Sequence, residues 1–208
     1  MTGSWTTGYL GALAGTADTL PFLPSPLRLA GQTVRQRIRL RRGGDAARLV
    51  LSNEFGRAPL VIDAVTVSDG AFASTVPALC QGAVGWEIPV GATATSDPLP
   101  LSTTAGAELV VDCLVAADAE AGGWLHSAQQ TGEVAPGTQL GRPRLADAER
   151  FTSLYLIARV LVDGPARGPV IVALGDSITR GDATTADLDQ RYPDHLQRRL
   201  LGAGIDGA

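Results

Sequence analysis

Residues 33–41 carry the clearest alternation in the chain. Val34, Ile38 and Leu40 face one way with Gln36 among them, and Arg35, Arg37, Arg39 and Arg41 face the other. A period of two is the mark of a half-buried strand. Gly43-Gly44-Asp45 then reads as a turn into 48–53, where Leu49 and Leu51 alternate with Arg48, Val50 and Ser52. The two runs are expected to pair as a hairpin of an antiparallel sheet. A row of arginines on the outer face suits either an acidic glycan or water, and the solvated face is the reading adopted.

More strands are expected over 60–67, 85–90, 107–116 and 154–162, separated by Ser68-Asp69-Gly70, Pro98 to Pro100, and Gly122-Gly123. Pro21, Pro24 and Pro26 exclude a long helix near the start. Short strands, dense turns and no strong helical period predict a mainly β N-terminal sandwich, jelly-roll-like, over 1–164.

The pattern changes after Asp163. Asp163-Gly164-Pro165-Ala166-Arg167-Gly168-Pro169 lacks periodicity and reads as a linker, so a second domain is expected over 165–208. Val170 to Leu174 is an unbroken apolar run, the pattern of a strand buried on both faces of a parallel sheet. A loop follows, then a helix from near Gln190 with Pro193 in its first turn and Gly202 as its stop. Tyr192, Leu196 and Leu200 share the face expected to pack on the 170–174 strand, while Asp187 and Asp189 sit where they suit the helix dipole.

Composition narrows the function classes. With 45% hydrophobic and 18% charged residues the chain is an ordinary globular one, not a disordered one. A net charge of −4 gives no field to draw nucleic acid, and no apolar run reaches the length of a membrane span. All 17 basic residues are arginine. Cys80 and Cys113, without C-x-x-C, predict no metal site; they are read as two free buried thiols, or a disulfide if their strands adjoin. The first residues, Met1-Thr2-Gly3-Ser4-Trp5, lack a signal peptide's basic and apolar regions. A cytoplasmic protein is the default expectation, or a secreted one if the start is misplaced.

The candidate chemistry lies where the apolar run ends, at Gly175-Asp176-Ser177-Ile178-Thr179-Arg180-Gly181. In open α/β sheets ligands bind beyond the carboxyl ends of the strands, which is where a nucleophilic Ser177 would be useful. Gly-Asp-Ser is equally a simple turn, and Asp176 is expected to orient it through an Asx-type hydrogen bond. The nucleophile elbow G-x-S-x-G is not met, and no phosphate loop is present.

Val172-Ala173-Leu174-Gly175-Asp176-Ser177-Ile178-Thr179, then Gly181, resembles the first block of the SGNH (GDSL-type) serine esterases, lipases and acylhydrolases. Gln190-Arg191-Tyr192-Pro193-Asp194-His195-Leu196 is similar to the helix that follows it in that family. Residues 33–53, 122–129 (Gly-Trp-Leu-His-Ser-Ala-Gln-Gln) and 151–162 resemble the N-terminal β-domain of some bacterial members. The resemblance implies that 165–208 opens an α/β, flavodoxin-like SGNH hydrolase domain. It implies that Ser177 is the nucleophile and that its own N–H helps hold the oxyanion, with Gly175, Asp176, Thr179 and Gly181 supporting the loop. The implied reaction is hydrolysis of an ester or acylated-carbohydrate small molecule through an acyl-enzyme, with no metal or cofactor.

The family's later glycine, Gly-x-Asn-Asp and Asp-x-x-His blocks are absent. The single asparagine is Asn53, and Tyr192 stands three residues before His195. With 31 residues after Ser177 (208 − 177), the chain is expected to stop inside the catalytic domain and to be a very poor esterase by itself. His126 and His195 are both read as structural rather than as the base. Trp5, Trp86, Trp124, Tyr9 and Tyr155 are read as core rather than as a sugar platform. The rival function is a non-catalytic carbohydrate-binding or interaction β-domain with a vestigial hydrolase start. Oligomeric state is not legible.

Overall fold

A computed structural model describes residues 4–17, 21, 23–165, 168 and 171–205. The chain is mainly β, and every pairing among the described strands is antiparallel.

The largest sheet is built on β3 (Gln32–Arg39), β5 (Leu60–Asp69) and β9 (Glu108–Val115), with β9 in the middle. Beyond β3 lie β11 (Gly132–Pro136) and β12 (Glu149–Phe151); beyond β5 lie β6 (Thr75–Pro77) and β7 (Trp86–Ile88). A second sheet runs β1 (Trp5–Leu10), β14 (Ile157–Asp163), β4 (Ala47–Ser52), β8 (Thr93–Thr95). A small third one runs β13 (Leu154–Tyr155), β10 (Gly123–Leu125), β2 (Ala14–Gly15).

The inward residues of the two larger sheets share one core. Val34, Ile38, Val65, Val67, Leu109 and Val111 come from the first, and Leu49, Leu51, Val160 and Val162 from the second. This sandwich-like packing is what the alternation predicted. Gln36, on the inward face, satisfies its amide by accepting from the Tyr155 N–H at 3.0 Å and donating to the Ser153 carbonyl at 3.5 Å. Trp86, Trp124 and Tyr155 are buried, while Trp5 and Tyr9 are only half-buried. Cys113 is buried and Cys80 half-buried, and both are free.

The expected hairpin does not form. β3 pairs with β9 and β11, whereas β4 pairs with β14 and β8 in the other sheet. Gly43-Gly44 is a crossing between sheets rather than a hairpin turn. A Cβ at Gly43 would lie 2.2 Å from the Thr103 carbonyl oxygen, and one at Gly44 2.3 Å from that of Asp163. Only glycine lets the backbones approach so closely.

The arginine row is not a solvated face either. Arg35 is 1% exposed and grips Asp112, directly opposite on β9, through two hydrogen bonds of 2.7 Å. Arg37 pairs with Glu108 at 2.6 Å, Arg39 with Glu108 and Asp189, and Arg41 with Asp194. Cross-strand acids and a covering segment neutralise the row.

That covering segment is the end of the chain, where the sequence reading needs most correction. Residues 171–175 form no strand, and Ile171, Val172 and Leu174 are 45%, 75% and 95% exposed. Ala166, Arg167, Pro169 and Val170, part of the expected linker and strand, lie outside the described residues. A buried strand requires neighbours to take its backbone hydrogen bonds, and no described strand lies beside this run. Two helices follow, α1 (Ser177–Arg180) and α2 (Tyr192–Gly202). Gly202 is still helical; the stop comes at Ala203, followed by Gly204 at φ +73°.

α2 does not dock through Tyr192, Leu196 and Leu200. The one residue it buries is Asp194.

Candidate active site

Ser177 opens α1, a single turn of helix fitted tightly at both ends. Asp176 is the N-cap, its Oδ1 accepting from the Ile178 N–H at 3.0 Å, as the Asx reading expects. Gly181 is the C-cap at φ +97°, its N–H donating to the Ser177 carbonyl. A Cβ at Gly181 would meet Arg191 Cγ at 2.2 Å, and one at Gly175 would meet Thr179 Oγ1 at 2.1 Å. A side chain at Gly175 would displace Thr179 and one at Gly181 would displace Arg191, and at φ +97° Gly181 is also in a backbone region that disfavours other residues. Thr179 Oγ1 lies 3.2 Å from the Tyr192 hydroxyl, which joins the turn to the start of α2.

The Ser177 side chain is exposed, and among the described residues its hydroxyl has no hydrogen-bond partner. Neither histidine touches it. His195 is exposed on α2 with Nδ1 3.0 Å from Arg198. His126 follows β10 in the chain and reaches the serine turn through Arg180, whose Nη1 is 2.8 Å from His126 Nε2. The other edge of the Arg180 guanidinium holds Asp182 in two hydrogen bonds, 2.8 and 2.6 Å. Burial, and then the Arg180 charge, hold the His126 pKa below its ordinary value against the smaller opposing pull of Asp182. Arg180's hydrogen bonds hold Asp182 below the usual carboxylate range.

Three more aspartates moor the chain between the turn and α2. Asp187 accepts from the Thr131 N–H and hydroxyl, both at 2.6 Å, and its own N–H donates to the Gln129 carbonyl at 3.0 Å. Asp189 pairs with Arg39 and Arg191. Asp194 is 2% exposed between Arg41 and Arg191 and also takes the Arg191 N–H, closing a capping box. Burial would push the Asp194 pKa up, but the Arg191 hydrogen bonds and the charges of Arg191 and Arg41 bring it below the usual value. Tyr9 is half-buried beside this cluster, and loss of water around its hydroxyl pushes its pKa up to about 12. Asp187 and Asp189 therefore serve as tethers to the sheets rather than as partners of a helix dipole.

Sequence reasoning missed Arg180, Asp182 and the Arg41–Asp194–Arg191 cluster. The Arg191-x-x-Asp194 spacing at a helix start was the one available signal; the 54-residue separation of Arg180 from His126 left none.

Away from the serine turn lies a cleft of about 680 Å³ bordered by Leu27, Arg28, Phe55, Arg57, Asp118 and Glu120. Among the described residues no group of three or more His, Cys, Asp or Glu is placed to hold a metal ion, and no helix is long and apolar enough to cross a membrane. The chain matches no family model and no curated protein sequence.

Proposed function

We propose that the chain carries the nucleophile block of an SGNH-type serine esterase, which hydrolyses a carboxylic ester or acylated carbohydrate through an acyl-enzyme. On this reading the strands form a jelly-roll-like N-terminal domain, and the segment from 165 onward belongs to an α/β, flavodoxin-like hydrolase domain. The observation that carries the proposal is the exposed Ser177 at the start of a tight turn whose cap, Asp176, and closely packed Gly175 and Gly181 all come from the resembling block.

Ser177 would attack the ester carbonyl, with its own N–H, free at the first position of α1, donating to the oxyanion. A serine hydroxyl is a weak nucleophile without a positioned base. The described residues put none against Ser177, so this chain is expected to turn over esters slowly. The test is p-nitrophenyl acetate and butyrate hydrolysis by the purified chain, alongside fluorophosphonate labelling of Ser177. Slow turnover with labelling lost in Ser177→Ala supports the reading, and a parent chain that takes no label overturns it.

The cleft beside Phe55 favours a second reading, a carbohydrate-binding β-region. Its volume is that of a small-ligand site, with an exposed aromatic ring and charges of both signs at its edge. Binding of an acetylated oligosaccharide that Phe55→Ala abolishes and Ser177→Ala leaves intact would support it.

A further inference from the structure

Arg180 has only donors to offer, so the 2.8 Å contact at His126 Nε2 assigns that nitrogen as the acceptor. His126 is therefore neutral, with its proton on Nδ1. That nitrogen is itself shut from water without a partner among the described residues, and the ring leans on buried Trp124 with centroids 5.6 Å apart. The imidazole can keep Arg180 only in this one form. A proton on Nε2 would set donor against donor and cation against cation.

Arg180 stands one helical turn after Ser177, so whatever holds its guanidinium holds the serine's turn. We infer that His126 is a positioning residue for the Ser177 turn: neutral, it tethers the turn to the end of β10 through Arg180, and protonated, it releases it. The charged groups facing His126 are Arg180 and Asp182, both from the serine segment; β10, Gly123-Trp124-Leu125, brings no charge. Asp182 titrates below the usual carboxylate range, so it remains charged through the window in which the imidazole picks up its proton.

The direction of the effect follows. The docked turn favours neutral His126, so the tether is whole above the ordinary histidine value of about 6.5 and is lost as pH falls through the lower value of the docked state. Asp187, Asp189 and Asp194 hold the following loop and α2 independently, so release is confined to the turn. The benefit of this tether to catalysis rests on the nucleophile reading of Ser177; the tether itself does not.

The experiment is hydrogen exchange of peptides covering 176–182 and 192–202, corrected for intrinsic rates, at about pH 8 and about pH 5. It is read for the parent chain, His126→Gln and His126→Ala, beside long-range ¹H–¹⁵N spectra of the imidazole. In the parent, exchange over 176–182 should quicken on the order of tenfold at the lower pH, the worth of one charge-assisted hydrogen bond, while 192–202 stays unchanged. Glutamine, an acceptor that does not titrate, should keep the turn protected at both pH values; alanine should free it at both. A proton found on Nε2 at the higher pH, or a His126→Gln chain with the parent's pH step, overturns the inference. Loss of fluorophosphonate labelling with this exchange pattern intact would sink the nucleophile reading and leave the tether standing.

Discussion

Asp112→Asn should be among the most damaging single changes in this protein. The substitution preserves shape but removes the charge facing Arg35, and both side chains are 1% exposed. The amide keeps one acceptor oxygen where the carboxylate has two, so one of the two 2.7 Å hydrogen bonds from Arg35 is lost, and with the amide nitrogen in the Oδ2 place the Gly141 N–H bond at 2.8 Å goes as well. Removing one member of a buried ion pair costs about 3–5 kcal/mol, because the other is left charged and uncompensated. Arg35 retains the Arg142 carbonyl at 2.6 Å and the Phe72 ring at 4.8 Å from its guanidinium carbon, which places the cost near the lower end, about 3 kcal/mol. For a chain of this size that is a fall in Tm of roughly 6–12 °C. Urea unfolding followed through buried Trp86 and Trp124 measures it. Arg35→Met combined with Asp112→Leu should recover most of the loss, since no lone charge remains. A cost below about 1 kcal/mol for Asp112→Asn, or a double variant that costs the sum of the two singles, would refute the reasoning.

Acid should undock α2 before it unfolds the sheets. Asp194 has its pKa depressed by docking, so its contribution is whole above the ordinary carboxylate value near 3.9 and disappears as pH falls through the lower docked value; amide exchange over α2 should rise there, and Arg41→Gln should move that rise to higher pH. The two thiols should separate under a disulfide reagent, Cys80 reacting slowly because burial and Asp97 raise its pKa, and buried Cys113 reacting only on unfolding.

Alternation along 33–41 correctly told which residues share the core, since Val34 and Ile38 are each 1% exposed. It could not tell what covers the opposite face. Arg35 looks the same in sequence whether water or Asp112 lies beyond it, and Asp112 is 77 residues away. Pairing failed for a related reason: Gly43-Gly44 has the composition of a turn, and only the nearness of Thr103 and Asp163 makes it a crossing. The 171–174 run showed that burial would be favourable there, but strand formation depends on neighbours that local pattern does not report. At the serine turn the Asp176 cap was legible because it is made two residues away. The His126 contact was not, because it depends on where β10 ends in space.

The pairing of β1 with β14, with Trp5 opposite Asp163, joins the first described strand to the last. β3, likewise, must wait for β9 and β11. Almost no sheet in this protein can be finished from local chain, which is the topology of a slow folder. During synthesis β3 stays without a strand partner until β9 is made and β1 until β14 is made, exposing apolar strand edges for much of that time. Asp187, Asp189 and Asp194 find Thr131, Arg39 and Arg41 only once the strands beside those residues have come together, so mooring of the segment that carries Ser177 waits on the sheets and reports their assembly.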